Sequence, residues 1–286
     1  MKTLLFGPTG IVGYAIARHA PETIPILSTP NKKGIAHGWD IVDPESDTDV
    51  RRVCENDIDA VIYTHAVCDV SMCENRQEWA REKNVLNLAR VLAQIPKGIR
   101  FVYLSSDHVF GHDGSYDEQN DPCPISHYGR TRVEAENRVL QADNAVVIRV
   151  PLAIGPSVDG RTGHLDWMRY RFTKGLPITI VEDEARSAVA VDDVVDRVLA
   201  YFRSSNIGLR HIAAPCVSRP DLANGIIEHL GLPVRYDLRP RSEQPAPHLG
   251  RVALSTIYDD ALAGHLPSVL DRFDSMEEPV RNVTDH

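Results

Sequence analysis

The chain has no long apolar run. Nothing in its 286 residues approaches the ~18–20 consecutive apolar positions that span a bilayer as a helix. The opening Leu4-Leu5-Phe6 stops at Gly7, too soon for the apolar core of a secretion signal. Paired cysteines are also missing. Cys54, Cys68, Cys73, Cys123 and Cys216 form no Cys-x-x-Cys, so neither a zinc ribbon nor a disulfide framework is expected. Free thiols in a reducing compartment fit better, and the expected location is the cytoplasm. Twelve histidines include no His-Glu-x-x-His, and His108 and His112 flank Gly111 on what reads as a loop. No metal is expected. Positive charge is short as well: 31 Lys and Arg against 40 Asp and Glu give a net charge of -9, without a long basic run. That argues against a nucleic-acid partner. An acidic chain that takes an anionic ligand must gather its cations locally.

What is present is a globular composition, 43% hydrophobic and 25% charged, long enough for one large domain or a large and a small one. Strand-like runs alternate with helix-like runs through the first half. Leu4–Phe6, Ile24–Leu27, Ala60–Tyr63, Phe101–Leu104 and Ala145–Val150 read as strands. Ile11–His19, Asp47–Asn56, Trp79–Gln94 and Tyr128–Gln141 read as helices. This alternation implies a parallel sheet with helices on both faces. After Pro151, turn signals accumulate at Gly155-Pro156, Asp159-Gly160 and Gly175-Leu176-Pro177. The expectation is a dinucleotide-binding domain over 1–150 and a smaller, less regular substrate domain over 151–286. The chain is expected to return to the main sheet within about 186–214, near Gly208–Ala213. Glu277–His286 reads as a polar tail.

Gly7, Gly10 and Gly13 follow a strand and open a helix. Glycines there permit a tight turn and let backbone N–H groups approach a pyrophosphate at the positive helix end. The second strand then ends in Ser28-Thr29-Pro30-Asn31-Lys32-Lys33, with no acid to bond a ribose 2′-hydroxyl. Hydroxyls and ammonium groups suit a 2′-phosphate, so NADP is favoured over NAD.

The fourth strand runs into Ser105-Ser106-Asp107-His108-Val109-Phe110. Ligands of such sheets sit at strand C-termini, which points these hydroxyls at the cleft. Farther on, Tyr128 and Arg132 stand four apart, on one face of a helix.

Together the glycine turn, Ser105-Ser106-Asp107-x-Val109-Phe110, Tyr116-x-Glu118 and Pro124-x-x-x-Tyr128-Gly129-x-Thr131-Arg132 resemble the extended short-chain dehydrogenase/reductases, and most closely the dTDP-4-dehydrorhamnose reductase family. Asn84-Val85, Val147-Ile148-Arg149 and Arg186-Ser187 extend the likeness, which is dense to about residue 200 and thin beyond. The resemblance implies a Rossmann-like, doubly wound α/β fold with NADP(H) as cofactor. It assigns Gly7, Thr9, Gly10, Ile11, Val12, Gly13, Ser28, Lys32, Asp40, Ile41, His65, Ala66, Val67, Asn84, Ser105, Tyr128 and Arg132 to the cofactor. Tyr128 is the implied proton donor and Ser106 the implied carbonyl orienter. Arg132 stands where the family has lysine, the residue that bonds the nicotinamide ribose and lowers the tyrosine pKa. Arginine keeps the charge but not the geometry. On the substrate side are Asp107, His108, Val109, Arg149 and Arg186. Arg235, Arg239 and Arg241 form a loose basic cluster that suits either a diphosphate or a solvated loop.

The function this implies is an NADP-dependent reductase of a 4-keto nucleotide-sugar, an oxidoreductase acting on a small molecule, with a homodimer compatible. Two alternatives stand beside it. One is a catalytically silent NADP-binding regulatory protein; the other is a nucleotide-sugar epimerase or dehydratase on the same scaffold.

Overall fold

The computed structural model describes residues 2–19, 26–55 and 58–276. Its centre is a seven-stranded sheet formed by Thr3–Phe6, Ile26–Ser28, Asp40–Ile41, Ala60–Tyr63, Arg100–Ser106, Ala145–Val150 and Gly208–His211. Numbered along the chain, these strands lie in the order 3-2-1-4-5-6-7. Every neighbouring pair is parallel. This is the doubly wound arrangement expected from the alternation of strands and helices. The order reverses between the first and fourth strands, and ligands bind at that kind of crevice.

Side chains alternate across a strand, so a sheet covered on both faces needs apolar residues at nearly every position. The strands supply them in pairs. Leu5, Ile62, Val102 and Val146 face one layer, with Ile16 and with Val194 and Val198 of the Val191–Arg203 helix. Leu4, Val61, Phe101 and Val147 face the other, with Val50, Leu88 and Val139 from three helices. Six of the seven strands fall in or beside the runs read from the sequence. Ile24 and Asn56, which bounded two of those runs, lie outside the described residues, as does the tail 277–286. The short third strand, Asp40–Ile41, has no pattern of its own and is defined by pairing with Leu27 and Ser28.

Trp79–Gln94 is helical, but not uniformly so. An α-helical start, Gln77–Arg81, passes through a π turn at Glu82–Leu86 into an α-helical end, Asn87–Gln94. Within 186–214, the return to the main sheet falls at the Gly208–Ala213 end alone. Gly208–His211 pairs with Ala145–Val150 at the sheet edge. Ala185–Ala190 instead belongs to a second sheet, beside Leu152–Ile154, Cys216–Ser218 and Arg251–Leu254. It carries a separate apolar cluster around Leu165, Met168, Leu222 and Ile226. Gly114–Tyr116, from the first half of the chain, extends this sheet and ties the two parts together. Among the described residues, no helix is long and apolar enough to cross a membrane.

Arg149 is not in the cleft. Both it and Glu136 are 2% exposed, and its guanidinium meets the Glu136 carboxylate at 2.8 to 3.3 Å. It also stacks on Phe110, 5.0 Å from the ring centre. Cutting one partner from such a pair strands a charge in a dry interior. Glu136→Ala is therefore expected to cost about 3–5 kcal/mol, read as a lowered urea midpoint.

Candidate active site

The first strand ends at Phe6 and the chain turns sharply. Gly7 takes a φ of 86°, a region that glycine enters without penalty. A Cβ on it would come 2.5 Å from the His65 nitrogen, so the turn lies directly on the end of the fourth strand. The Thr64 hydroxyl holds the two together, 2.8 Å from the Phe6 carbonyl and 2.9 Å from that of Gly7. Gly13 is equally confined: its Cβ would fall 2.2 Å from the Gly7 oxygen. Gly10 differs. The nearest atom to its Cβ would be 3.8 Å away, so protein packing does not demand a glycine there. The space it leaves belongs to a hollow of about 350 Å³, lined by residues 7 and 9–13, by His65 and Ala66, and by Ser106, Tyr128 and Arg132. The helix opening at Ile11 has no acid in its first turn. Its free N–H groups and positive end suit an anion. These residues fit the diphosphate of a dinucleotide.

Ser126 caps the helix His127–Val139 through the Gly129 nitrogen, 3.0 Å away. At the second position of this helix, Tyr128 is 4% exposed, and its hydroxyl donates to Cys68 Sγ at 3.5 Å. Burial and neighbouring Cys68 hold its pKa well above the usual tyrosine value; the positive Arg132 and a hydrogen bond from Ser106 oppose them. Arg132 is 2% exposed. Its Nη2 donates to the Leu104 carbonyl, and its plane lies 4.8 Å from the centre of the Tyr103 ring. Its Nε and Nη1 have no hydrogen-bond partner among the described residues. Buried donors are rarely left unsatisfied, so these two N–H groups are available to a ligand in the hollow. The Ser106 hydroxyl accepts from the His108 nitrogen at 3.3 Å and caps the short turn that follows.

The model of the RmlD substrate binding domain matches residues 1–263. The chain belongs to that family. Among curated members it is 29% identical over 273 residues to a dTDP-4-dehydrorhamnose reductase of Mycolicibacterium smegmatis, covering 89% of this chain and 78% of the relative. It is 26% identical to the probable low-salt glycan biosynthesis reductase Agl14 of Haloferax volcanii, with 81% of each chain covered. A solved dTDP-4-dehydrorhamnose reductase of Bacillus anthracis, in complex with NADP, superposes with a TM-score of 0.81. That pair is 20% identical, with 96% and 98% of the chains covered, so the likeness is one of fold.

Against this RmlD frame, the hollow brings together the glycine turn, Thr9, Ile11, Val12, His65, Ala66, Ser105, Ser106, Tyr128 and Arg132. Val67 lies beside it, on a second hollow of about 820 Å³. Several expected site residues are committed elsewhere. Asn84, on the π turn, spends its amide on Val67 (2.7 and 3.1 Å) and Thr131 (3.0 Å). It is fully buried and braces the cleft rather than touching a ligand. The Ser105 hydroxyl faces Glu136 at 2.5 Å. Asp107 is fully buried in a two-pronged pair with Arg186 at 2.8 and 2.5 Å, so neither presents its charge to a substrate. Val109 is core, packed with Leu249 and Val252. His108 sets its ring edgewise to Tyr128, 5.2 Å between centres. It supports the tyrosine ring. Ser28 is 1% exposed and bonds the Thr29 carbonyl. Lys32 is exposed and lines neither hollow, whereas Lys33 lines the larger one. Asp40 and Ile41 also line neither. Of the basic cluster, Arg239 pairs with Glu243 at 3.2 Å and Arg241 with Asp183 at 3.3 Å; none of the three arginines lines either hollow.

Sequence reading missed Cys68, the hydrogen-bond partner of Tyr128, and the segment Thr162-Gly163, which reaches both hollows. Gly163 has a φ of 70°, and its Cβ would fall 2.6 Å from Ile11 Cδ1. The large hollow is walled by Met72, Trp167, Met168, Leu222 and Ile226, with His164, Arg219 and His248 as polar points. Its only local sequence signal is the apolar spacing of the two helices Gly163–Thr173 and Arg219–His229.

Two expectations follow. Gly10→Ala should leave the urea midpoint unchanged yet weaken NADPH binding about tenfold or more, whereas Gly13→Ala should lower the midpoint itself; fluorescence titration and denaturation separate them. Burial pushes His65 and His108 from 6.5 down to about 4, with Arg132 adding to the effect on His65 and Arg186 to that on His108. The unfolded chain therefore takes up these protons first as the pH falls. Stability should drop between pH 6.5 and about 4 and, for these two groups, level off below. His108→Gln should flatten that slope in denaturation curves taken across the range.

Proposed function

We propose that this chain is an NADP-dependent reductase of a 4-keto nucleotide-sugar. The observation that carries this reading is the convergence of Ser106, Tyr128 and Arg132 on the glycine-turn hollow, itself open to the larger one through shared walls at Thr9, Ala66, Cys68, Thr162 and Gly163. The two curated relatives, each named as a reductase, support it.

The nicotinamide, when bound, supplies the hydride. The protein's part is to place a ketone oxygen between two hydroxyls. Tyr128 gives its phenolic proton to that oxygen as the carbonyl carbon is reduced, and Ser106 donates a hydrogen bond that fixes the carbonyl's direction. The Tyr128 hydroxyl must leave Cys68 to do so. Arg132 stabilises the phenolate left behind by charge alone, because a guanidinium does not give up its own proton near neutral pH. Its free Nε and Nη1 are the donors available to a ribose. The phenolate recovers its proton from solvent, and the ketone has become a secondary alcohol.

A second reading rests on the same arginine. Arg132 is anchored on the Leu104 carbonyl and stacked on Tyr103, and Tyr128 is bonded to a thiol. That arrangement also suits a protein that binds NADP without using its hydride.

Substrate-dependent NADPH oxidation over a panel of 4-keto nucleotide-sugars decides between them. On the reductase reading, Tyr128→Phe lowers kcat by about 10²- to 10⁴-fold with little change in NADPH affinity. Undiminished NADPH binding, with turnover in neither wild type nor Arg132→Lys, would sink the reductase reading and leave the silent binder.

A further inference from the structure

At Lys33 the wall of the 820 Å³ hollow carries an ion pair that joins the two halves of the molecule. Lys33, from the short helix Lys32–Ala36 after the second strand, sits 2.7 Å from Asp159 Oδ2. Asp159 belongs to the segment 157–163, which crosses the cleft and packs Gly163 against Ile11 in the first turn of the glycine-turn helix. The two oxygens of this carboxylate do different work. Oδ1 accepts from the segment itself: the Arg161 and Thr162 nitrogens at 3.1 and 3.2 Å, and the Ser157 and Thr162 hydroxyls at 3.1 and 3.0 Å. Oδ2 takes Lys33. The pair is 37% and 23% exposed at its side chains, so solvent screens it only in part. Burial works against the Asp159 charge, but Lys33 and the segment's donors outweigh it and hold the acid at about 2.

Lys33 is also the cation that the NADP reading needs. Of the residues closing the second strand, Ser28 is buried, Lys32 points to solvent, and Asn31 is spent on Thr29 and on capping Gly34. Lys33 alone of this group lines the larger hollow. We propose that Asp159 is the counter-charge that sets cofactor preference: its Oδ2 holds Lys33 in place of the 2′-phosphate, and NADP must take Lys33 from it in order to bind. This rests on the NADP reading above. It makes Asp159 a specificity-determining residue that touches neither the reacting carbon nor the nicotinamide. It also couples two events. When a 2′-phosphate engages Lys33, the segment 157–163 loses its tie to the helix that carries Lys33, while Oδ1 keeps the segment's internal shape.

Equilibrium titration of the full-length protein with NADPH and NADH tests this in four forms: wild type, Asp159→Asn, Lys33→Met and the double variant. Asparagine keeps an oxygen for the segment's own donors and removes the charge. Asp159→Asn is expected to tighten NADPH about three- to tenfold and leave NADH unchanged. Lys33→Met, which leaves the Oδ1 bonds intact, is expected to weaken NADPH alone by about tenfold. In the double variant the gain from Asp159→Asn should vanish. A wild type that prefers NADPH, with no tightening in Asp159→Asn or with a gain that survives loss of Lys33, overturns the counter-charge and spares the NADP reading. Equal weakening of both cofactors by Asp159→Asn would mean that the carboxylate only shapes the segment, and also overturns it. Equal affinities for NADPH and NADH in wild type overturn the NADP reading and this inference with it.

Discussion

Gly7 lies so close to the end of the fourth strand that a single methyl group would meet the His65 nitrogen at 2.5 Å. The Thr64 hydroxyl, against the Phe6 and Gly7 carbonyls, keeps that approach from opening. This contact is where the sheet order reverses. It aims the first helix into the crevice, sets the space at Gly10 in front of that helix, and brings the loop carrying Ala66 and Cys68 up against Tyr128. Were the two strand ends to part, the glycine turn and the tyrosine would no longer line one hollow.

The parts legible in the sequence were those with short-range signatures. Period-two apolar pairs such as Leu4/Leu5 and Val61/Ile62 mark strands buried on both faces. The spaced glycines mark the turn, and Tyr128 and Arg132 share a helix face because of their spacing. What was not legible depends on partners distant in the chain. Arg149, Asp107 and Arg186 look like cleft charges in sequence. Each is neutralised by a partner 13 or 79 positions away and is buried for that reason. Lys32 and Lys33 are indistinguishable as neighbours; only the fold turns one to solvent and the other to the rim. Ser105 and Ser106 differ likewise, because alternation sends one hydroxyl to Glu136 and leaves the other at the cleft.

The buried pairs also explain how an acidic chain presents a cleft whose unpaired donors are cationic. Asp107 and Glu136 are each consumed by an arginine. Glu184 is shared among Arg186, Arg219 and His248, and these neighbours hold it down to about 2 against the cost of burial. With these carboxylates spent inward, what remains at the glycine-turn hollow is Arg132, with two N–H groups that no described residue takes, and the helix end at Ile11, while Lys33 at the rim is held by Asp159.

The π turn at Glu82–Leu86 gives the long helix two independent phases. The wide turn takes up one extra residue, so the apolar pattern of the sequence after it is offset by about 100° from the pattern before it. Ahead of it, Ala80 packs beside Tyr128 in a small cluster under the cleft. After it, Leu88 and Val91 pack into the sheet core. Asn84 lies within the turn and clamps Val67. The helix thus works as a gearbox between two surfaces with different pitch. Deleting one residue from 82–86 would turn the wide turn into a plain α turn with both ends of the rod still in place, and what would be lost is the bulge that carries Asn84 to Val67.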